Sequence, residues 1–190
     1  MRSTVNDVQT VRLFIAIDLP PDILKEIDRL VTDLKKKELF TGRYVLLEKI
    51  HLTLHFLGET RNDVMPKLDN LLSAIAVNKF TATLRTLDYI RRGPDIKIIY
   101  LSVIAPELHI LAKKIQHALV DFREPEQRDF LPHITLARVK QVNDKDALVK
   151  YINEVSAVPL TFDISEFVLK ESVFSPDGHI HTVLSRYNLW

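Results

Sequence analysis

The chain contains no cysteine. Disulfides, thiolate nucleophiles and cysteine-ligated zinc or iron–sulfur centres are therefore excluded. It has only four glycines, and no two lie closer than Gly42 and Gly58. A Walker A loop, a dinucleotide-binding glycine turn and a nucleophile elbow all need glycines a few residues apart, so the standard ATP, NAD and serine-hydrolase readings fall away. No H-E-x-x-H zinc motif occurs, and no apolar run approaches a membrane span. The polar start, Met1 to Thr10, lacks the apolar stretch of a signal peptide and reads as a flexible tail. With cysteine absent as well, a cytoplasmic location and no membrane partner are expected.

An excess of charge is missing too. Lys and Arg total 26 against 25 Asp and Glu, a formal net charge of +1. A protein that coats long nucleic acid is usually more basic, but near-neutrality still allows a local cationic site for one phosphate. What is present is ordinary globular material. The 190 residues are 46% hydrophobic and 27% charged, enough to build a core and to exclude intrinsic disorder. A single domain over 1–190, acting as a monomer, is expected.

Arg12 to Asp18 reads as a buried strand, and Pro20 and Pro21 open a helix carrying Ile23, Ile27, Leu30, Val31 and Leu34. Tyr44–Leu46 and Ile50–Leu57 read as strands. Val64 to Ile75 gives a second amphipathic helix, with Asn62 or Asp63 as its cap. Phe80–Ile90 and Lys97–Ile104 are strands, and Pro106 starts a third helix. Phe130–Val139 is a strand, and Leu148 to Val155 marks a fourth helix. Leu160–Phe174 and Ile180–Tyr187 close the chain as β structure around a Pro176-Asp-Gly178 turn.

This order repeats. Each half runs strand, proline-started helix, then a strand bearing His51-Leu-Thr-Leu54 or His133-Ile-Thr-Leu136. The expected fold is α+β: two similar lobes of antiparallel sheet with outer helices, related by a pseudo-two-fold axis across an active-site cleft. Strand alternation puts His51, Thr53 and His55 on one face, with Leu52, Leu54 and Phe56 on the core face. His133 and Thr135 share a face likewise, with Ile134 and Leu136 opposite.

Chance predicts about 0.4 His-x-Thr tripeptides in such a chain, so two copies at equivalent points of a repeat are not an accident. Two imidazoles across a cleft suit acid–base chemistry, because with pKa near ~6.5 one can be neutral while the other is protonated. Threonine hydroxyls can donate to phosphate oxygens. A ribose 2′,3′-cyclic phosphate can be opened by such a set without metal or ATP.

The segments Arg12-Leu-Phe-Ile-Ala-Ile-Asp-Leu-Pro20, Ile50-His-Leu-Thr-Leu-His-Phe-Leu-Gly-Glu59, Phe130-Leu-Pro-His-Ile-Thr-Leu-Ala-Arg138 and the ending from Phe167 to Trp190 carry a resemblance over nearly the whole chain. It resembles the RNA 2′,3′-cyclic phosphodiesterases, also called 2′-5′ RNA ligases, of the two-histidine phosphoesterase superfamily. The resemblance implies His51 as proton donor, His133 as proton acceptor, and Thr53, Thr135 and Arg138 as substrate-binding residues, with no metal and no cofactor. It implies partners that are RNA 3′ ends or nucleotides bearing a 2′,3′-cyclic phosphate. The product is then a 2′-phosphate, and attack by a 5′-hydroxyl gives 2′-5′ ligation. The alternatives are a related enzyme acting on 2′-5′ oligoadenylate or a small cyclic nucleotide, or a nucleotide- or RNA-binding module without turnover.

By simple alternation Arg138 falls on the face opposite His133, and reaches the cleft only if the strand bulges or twists. Ile90-Arg-Arg-Gly-Pro-Asp95 and Lys97-Ile-Ile-Tyr100 depart from the family pattern, so contacts at the substrate rim are expected to differ. His55 lies on the catalytic face, and with His51 and His133 it is also a candidate three-histidine metal site. Arg91 and Arg92 are candidates to guide RNA, and Tyr44 and Phe130 to stack on a base. His179 and His181 read as a solvated strand face, and His109 and His117 as exposed helix positions.

Overall fold

The computed structural model describes residues 9–122, 129–175 and 178–190. β1 (Thr10–Asp18) is buried from Leu13 to Ile17, because both faces of this strand are covered. It begins at Thr10, inside the stretch expected to be tail. Asn62 fixes this start by donating its backbone N–H to the Gln9 carbonyl. α1 (Pro21–Lys36) buries Ile23, Ile27, Val31 and Leu34 and ends with Lys35 and Lys36 beside its carbonyl terminus.

β2 spans Phe40–Tyr44, earlier than expected, and a single 3-10 turn at Leu47–Lys49 leads into β3 (His51–Arg61). α2 (Met65–Ser73) starts from Val64 without a side-chain cap, so neither Asn62 nor Asp63 caps it; Asp63 instead pairs with Arg61. β4 (Phe80–Arg92) and β5 (Asp95–Ile104) form a hairpin, and Gly93 takes a φ of 61° in its two-residue turn. α3 (Pro106–Ala118) follows.

β6 runs His133–Val142 and starts later than Phe130, whose ring packs at 5.5 Å against His109 and onto the core. Asp144 caps α4 (Lys145–Glu154) by accepting from the Ala147 N–H at 2.9 Å. The β region expected over Leu160–Phe174 is two strands, β7 (Ser156–Ile164) and β8 (Glu166–Ser175). β9 is Gly178–Asn188. Pro176 and Asp177 of the expected turn lie outside the described residues.

Among the described residues all strand pairings are antiparallel. The strands form one curled, nine-stranded sheet in the order β7-β4-β5-β6-β3-β1-β8-β9, with β2 on β6. The two motif strands, β3 and β6, meet at the centre through a single ladder pair, Leu52 with Ile134. On either side lie β3-β1-β8-β9 and β6-β5-β4-β7, the two lobes.

The lobes are not the two halves of the sequence. β4 belongs to the first half but completes the second lobe, while β8 and β9 complete the first. Hairpin closure decides this: the two-residue turn at Gly93-Pro94 makes β5 the nearest partner for β4. Each lobe thus holds strands from both halves, which ties them together although β3 and β6 barely pair.

One face of the sheet carries the main core, including Ile15, Ile17, Leu52, Ile134 and the buried faces of all four helices. Among the described residues the opposite face carries only a small apolar cluster of Phe14, Ala16 and Val168, with Val183 against it. Among the described residues no helix is long and apolar enough to cross a membrane.

Candidate active site

Paired residues in adjacent strands point to the same face, so the ladder registers sort the site residues. Asp18 pairs with His51 and Ala16 with Thr53, opposite the core face where Ile17 pairs with Leu52. Likewise Ser102 pairs with His133 and Tyr100 with Thr135, while Leu101 pairs with the buried Ile134. The four motif residues therefore share the helix-free face of the sheet, one His–Thr pair on each side of the central contact. Leu52, Leu54, Ile134 and Leu136 are all buried, as alternation required.

Alternation then fails at the same point in both motifs. Along β3, Ala16 pairs with Thr53 but Ile15 pairs with His55, which leaves Leu54 as an extra residue. Along β6, Tyr100 pairs with Thr135 but Ile99 pairs with Ala137, which leaves Leu136 extra. Each is a β-bulge, and each reverses the faces of the residues that follow. Arg138, paired with Ile98, comes round to the face of His133. His55, paired with the core residue Ile15, turns away from His51 and is only 8% exposed. Phe56, expected in the core, pairs with Phe14 on the site face and is 46% exposed. The His51–His55–His133 trio therefore does not share a face, and no other group of three ligating side chains among the described residues could hold a metal.

The histidines are oriented identically. His51 Nδ1 lies 2.8 Å from the Lys49 carbonyl, and His133 Nδ1 lies 2.7 Å from the Leu131 carbonyl. A carbonyl only accepts, so both rings carry a proton on Nδ1 and leave Nε2 for chemistry.

Their surroundings differ. His51 packs 5.0 Å from the Phe14 ring and 5.3 Å from the His181 ring. Burial, with the Lys170 ammonium and His181 nearby, pushes its pKa down to about 4 against partial opposition from the Lys49 carbonyl and Asp18. Lys170 is itself buried and pairs with the Asp18 carboxylate. His133 is more open. The Tyr100 ring stands 5.3 Å away, with its hydroxyl donating to Asp88 at 3.1 Å, and burial followed by the Asp88 charge pushes that phenol up to about 12. Ser102, the ladder partner of His133, bonds with Thr86.

A second cation stands beside Arg138. Arg43 of β2 is its direct ladder partner, and both side chains are exposed. Gly42 permits this approach, since a Cβ there would lie 2.3 Å from the Arg138 carbonyl oxygen. Like charges directly opposite in a ladder repel, which suits an anion site better than a structural role.

Other candidates lie elsewhere. Tyr44 pairs with Ala137 on the core side and packs there, under the Lys35 ammonium at 5.1 Å. Arg91 lies over the Tyr89 ring at the β4–β5 hairpin, and Arg92 closes that turn opposite Asp95. His179 bonds Ser172 Oγ at 3.0 Å and sits against the exposed Phe174. His117 is exposed on α3.

His181 corrects the expectation of a solvated strand face, for it contacts both Phe14 and His51. Phe14, Asp18, Tyr100 and Lys170 were missed as well. Lys170 carried a readable signal: a lysine directly after the apolar run Phe167–Leu169 of a buried strand needs an acidic partner, and Asp18 ends β1.

Two bulged His-x-Thr strands thus present their imidazoles and hydroxyls on one helix-free sheet face, a set suited to acid–base chemistry on a phosphate ester. Residues 19–172 match the model of the 2′-5′ RNA ligase superfamily, and the chain belongs to that family. It is 29% identical to the RNA 2′,3′-cyclic phosphodiesterase of Methanocaldococcus jannaschii, over 93% of this chain and 100% of that protein. It is 30% identical to the Escherichia coli protein of the same name, over 94% of this chain and 96% of that one. Among solved structures it is similar to E. coli LigT in apo form (TM-score 0.77, 29% identity, 95% and 98% of the two chains covered). It is also similar to E. coli LigT complexed with 3′-AMP (TM-score 0.75, 28% identity, with the same coverage).

Proposed function

We propose that this protein hydrolyses 2′,3′-cyclic phosphate ends of RNA to 2′-phosphates, using two histidines and no metal. The observation that carries the reading is the matched pair of motifs, in which each lobe presents one imidazole with Nδ1 tied back to a carbonyl and one threonine beside it. Relatives named for this activity, and the 3′-AMP complex of E. coli LigT, support it.

In this mechanism His133 Nε2 takes a proton from water as its oxygen attacks phosphorus. The P–O3′ bond breaks, and His51 Nε2 delivers a proton to the departing 3′ oxygen. The product carries a 2′-phosphate and a free 3′-hydroxyl. Thr53 and Thr135 donate to the non-bridging oxygens, and Arg138, with Arg43 beside it, supplies positive charge. Phe56 offers an exposed apolar surface to the nucleoside. A 5′-hydroxyl in place of water gives a 2′-5′ linkage by the same steps.

His51 is held neutral in the ligand-free protein. Its role as acid therefore requires the phosphate anion to raise its pKa on binding. Proton uptake on binding of a 2′-phosphate product at neutral pH, read by calorimetry in buffers of different ionisation enthalpy, checks this. Binding without uptake refutes His51 as the acid. The activity itself is tested with an oligoribonucleotide ending in a 2′,3′-cyclic phosphate, in EDTA. Release of a 2′-phosphate end is expected, and loss of turnover that added metal restores refutes the two-histidine chemistry.

A further inference from the structure

The mechanism leaves one imidazole of the cleft unused. His181 lies on β9 opposite Ser172 of β8. Its ring stands nearly perpendicular to that of His51, with centroids 5.3 Å apart, and meets Phe14 edge-on at 4.9 Å. Its Nδ1 is buried and has no hydrogen-bonding partner among the described residues.

That orphan atom settles where the proton sits. A buried N–H without an acceptor is rarer and costlier than a lone pair without a donor, so the neutral ring carries its proton on Nε2. The ring is also kept neutral: burial lowers its pKa first, followed by the charges of Lys170 on β8, His179 on its own strand and Lys49 before β3. This is the opposite tautomer to that of His51 and His133, which spend Nδ1–H on a carbonyl and keep Nε2 for proton exchange. His181 presents an N–H that can donate but is poorly placed to ionise.

We propose that His181 is a third ligand-contacting histidine of the cleft, whose Nε2–H donates a hydrogen bond to a non-bridging oxygen of the phosphodiester on which His51 and His133 act. The proposal rests on the phosphodiester reading of the cleft and adds to it a donor beyond Thr53, Thr135 and Arg138. The geometry supports it because two rings edge to face at 5.3 Å bring an oxygen that contacts one within reach of the other. The chemistry supports it because the non-bridging oxygens gain charge in the transition state, and a fixed donor stabilises them without reorganisation. A neutral donor has a further use here. Lys170 already opposes protonation of His51, and another cation at this place would oppose it more.

Two substitutions separate donation from packing. His181→Phe keeps a ring against Phe14 and His51 but has no N–H. His181→Gln loses the ring but carries an amide N–H near the position of Nε2. With the cyclic-phosphate oligoribonucleotide as substrate, His181→Phe is expected to lose on the order of 10²-fold in kcat, and His181→Gln to recover most of that loss. A phenylalanine variant within about twofold of the parent overturns the proposal. So does a glutamine variant at or below the phenylalanine one, since packing then explains the effect.

A measurement on the unsubstituted protein covers the case of misfolded variants. Addition of inorganic phosphate is expected to shift the His181 Nε2–H resonance in nitrogen-resolved imidazole NMR while the ring stays neutral; an unmoved resonance overturns the proposal. If the parent protein binds phosphate through His181 yet hydrolyses no cyclic phosphate, the phosphodiesterase reading fails and the anion contact stands.

Discussion

The two lobes place the same imidazole, tied back in the same way, in different media. In the first lobe His51 faces an aromatic wall of Phe14 and His181 and the buried Lys170 paired with the half-buried Asp18. In the second, His133 faces the Tyr100 ring, whose hydroxyl donates to Asp88, pairs in the ladder with Ser102, which bonds Thr86, and is more open. The residues after the matching bulges differ as well: Phe56 on one side, Arg138 on the other. The backbone repeat thus makes a symmetric frame, and the side chains around it break the symmetry. A reaction with one proton acceptor and one proton donor can use that break, because unlike surroundings distinguish the two rings.

Removing either histidine is the largest way to break the comparison. His51→Ala and His133→Ala are each expected to cost roughly 10²–10⁴ in hydrolysis rate with the fold intact. A substrate with sulfur as its 3′ leaving atom sharpens the comparison, since thiolate departs with little protonation. It is expected to rescue His51→Ala and not His133→Ala, and the reverse result exchanges the two roles.

The difference in surroundings also predicts a stability effect. The folded pKa of His51, about 4, lies below the ordinary 6.5, so as pH falls the unfolded chain takes up the proton first. Stability from this group is full above about pH 6.5 and declines as pH falls towards about 4, by roughly 3 kcal/mol in all. His181 acts in the same direction. Denaturant melts across this interval are expected to show the slope, and His51→Gln to remove most of it.

Next in size is the pair after the bulges. Arg138→Ala is expected to weaken a nucleoside 2′-phosphate and inorganic phosphate alike, by about 1.5–3 kcal/mol for a charged hydrogen bond. Phe56→Ala is expected to weaken only the nucleotide, by about 1–3 kcal/mol if a base stacks there. Calorimetry with both ligands checks this; an equal loss for both ligands in the Phe56 variant places that ring elsewhere in the site. The smallest effect belongs to Arg43. Its removal is expected to reduce the salt dependence of oligoribonucleotide binding by about one phosphate contact, and an unchanged slope in a salt titration takes Arg43 out of the RNA path.

The residues of β1, β3, β6, α1 and α3 determined their own elements. Apolar runs, prolines at helix starts and two His-x-Thr-x patterns are local signals, and they sufficed for the α+β class, the repeat and the two opposed His–Thr pairs. Alternation also placed Leu52, Leu54, Ile134 and Leu136 correctly, because parity holds up to the first bulge. Beyond that, the tertiary structure decided. Whether Leu54 and Leu136 are extra residues depends on how β1 and β5 pair with them, which no window of β3 or β6 contains. Those two bulges moved Arg138 and Phe56 to the site and His55 away from it. The exchange of β4 and β8 between lobes followed from the tight β4–β5 hairpin and from the pairing of β8 with β1 across most of the chain. His181 joined His51 only because β8 and β9 pack beyond β1, and burial in that company, absent from any property of the imidazole itself, lowers the pKa of each ring.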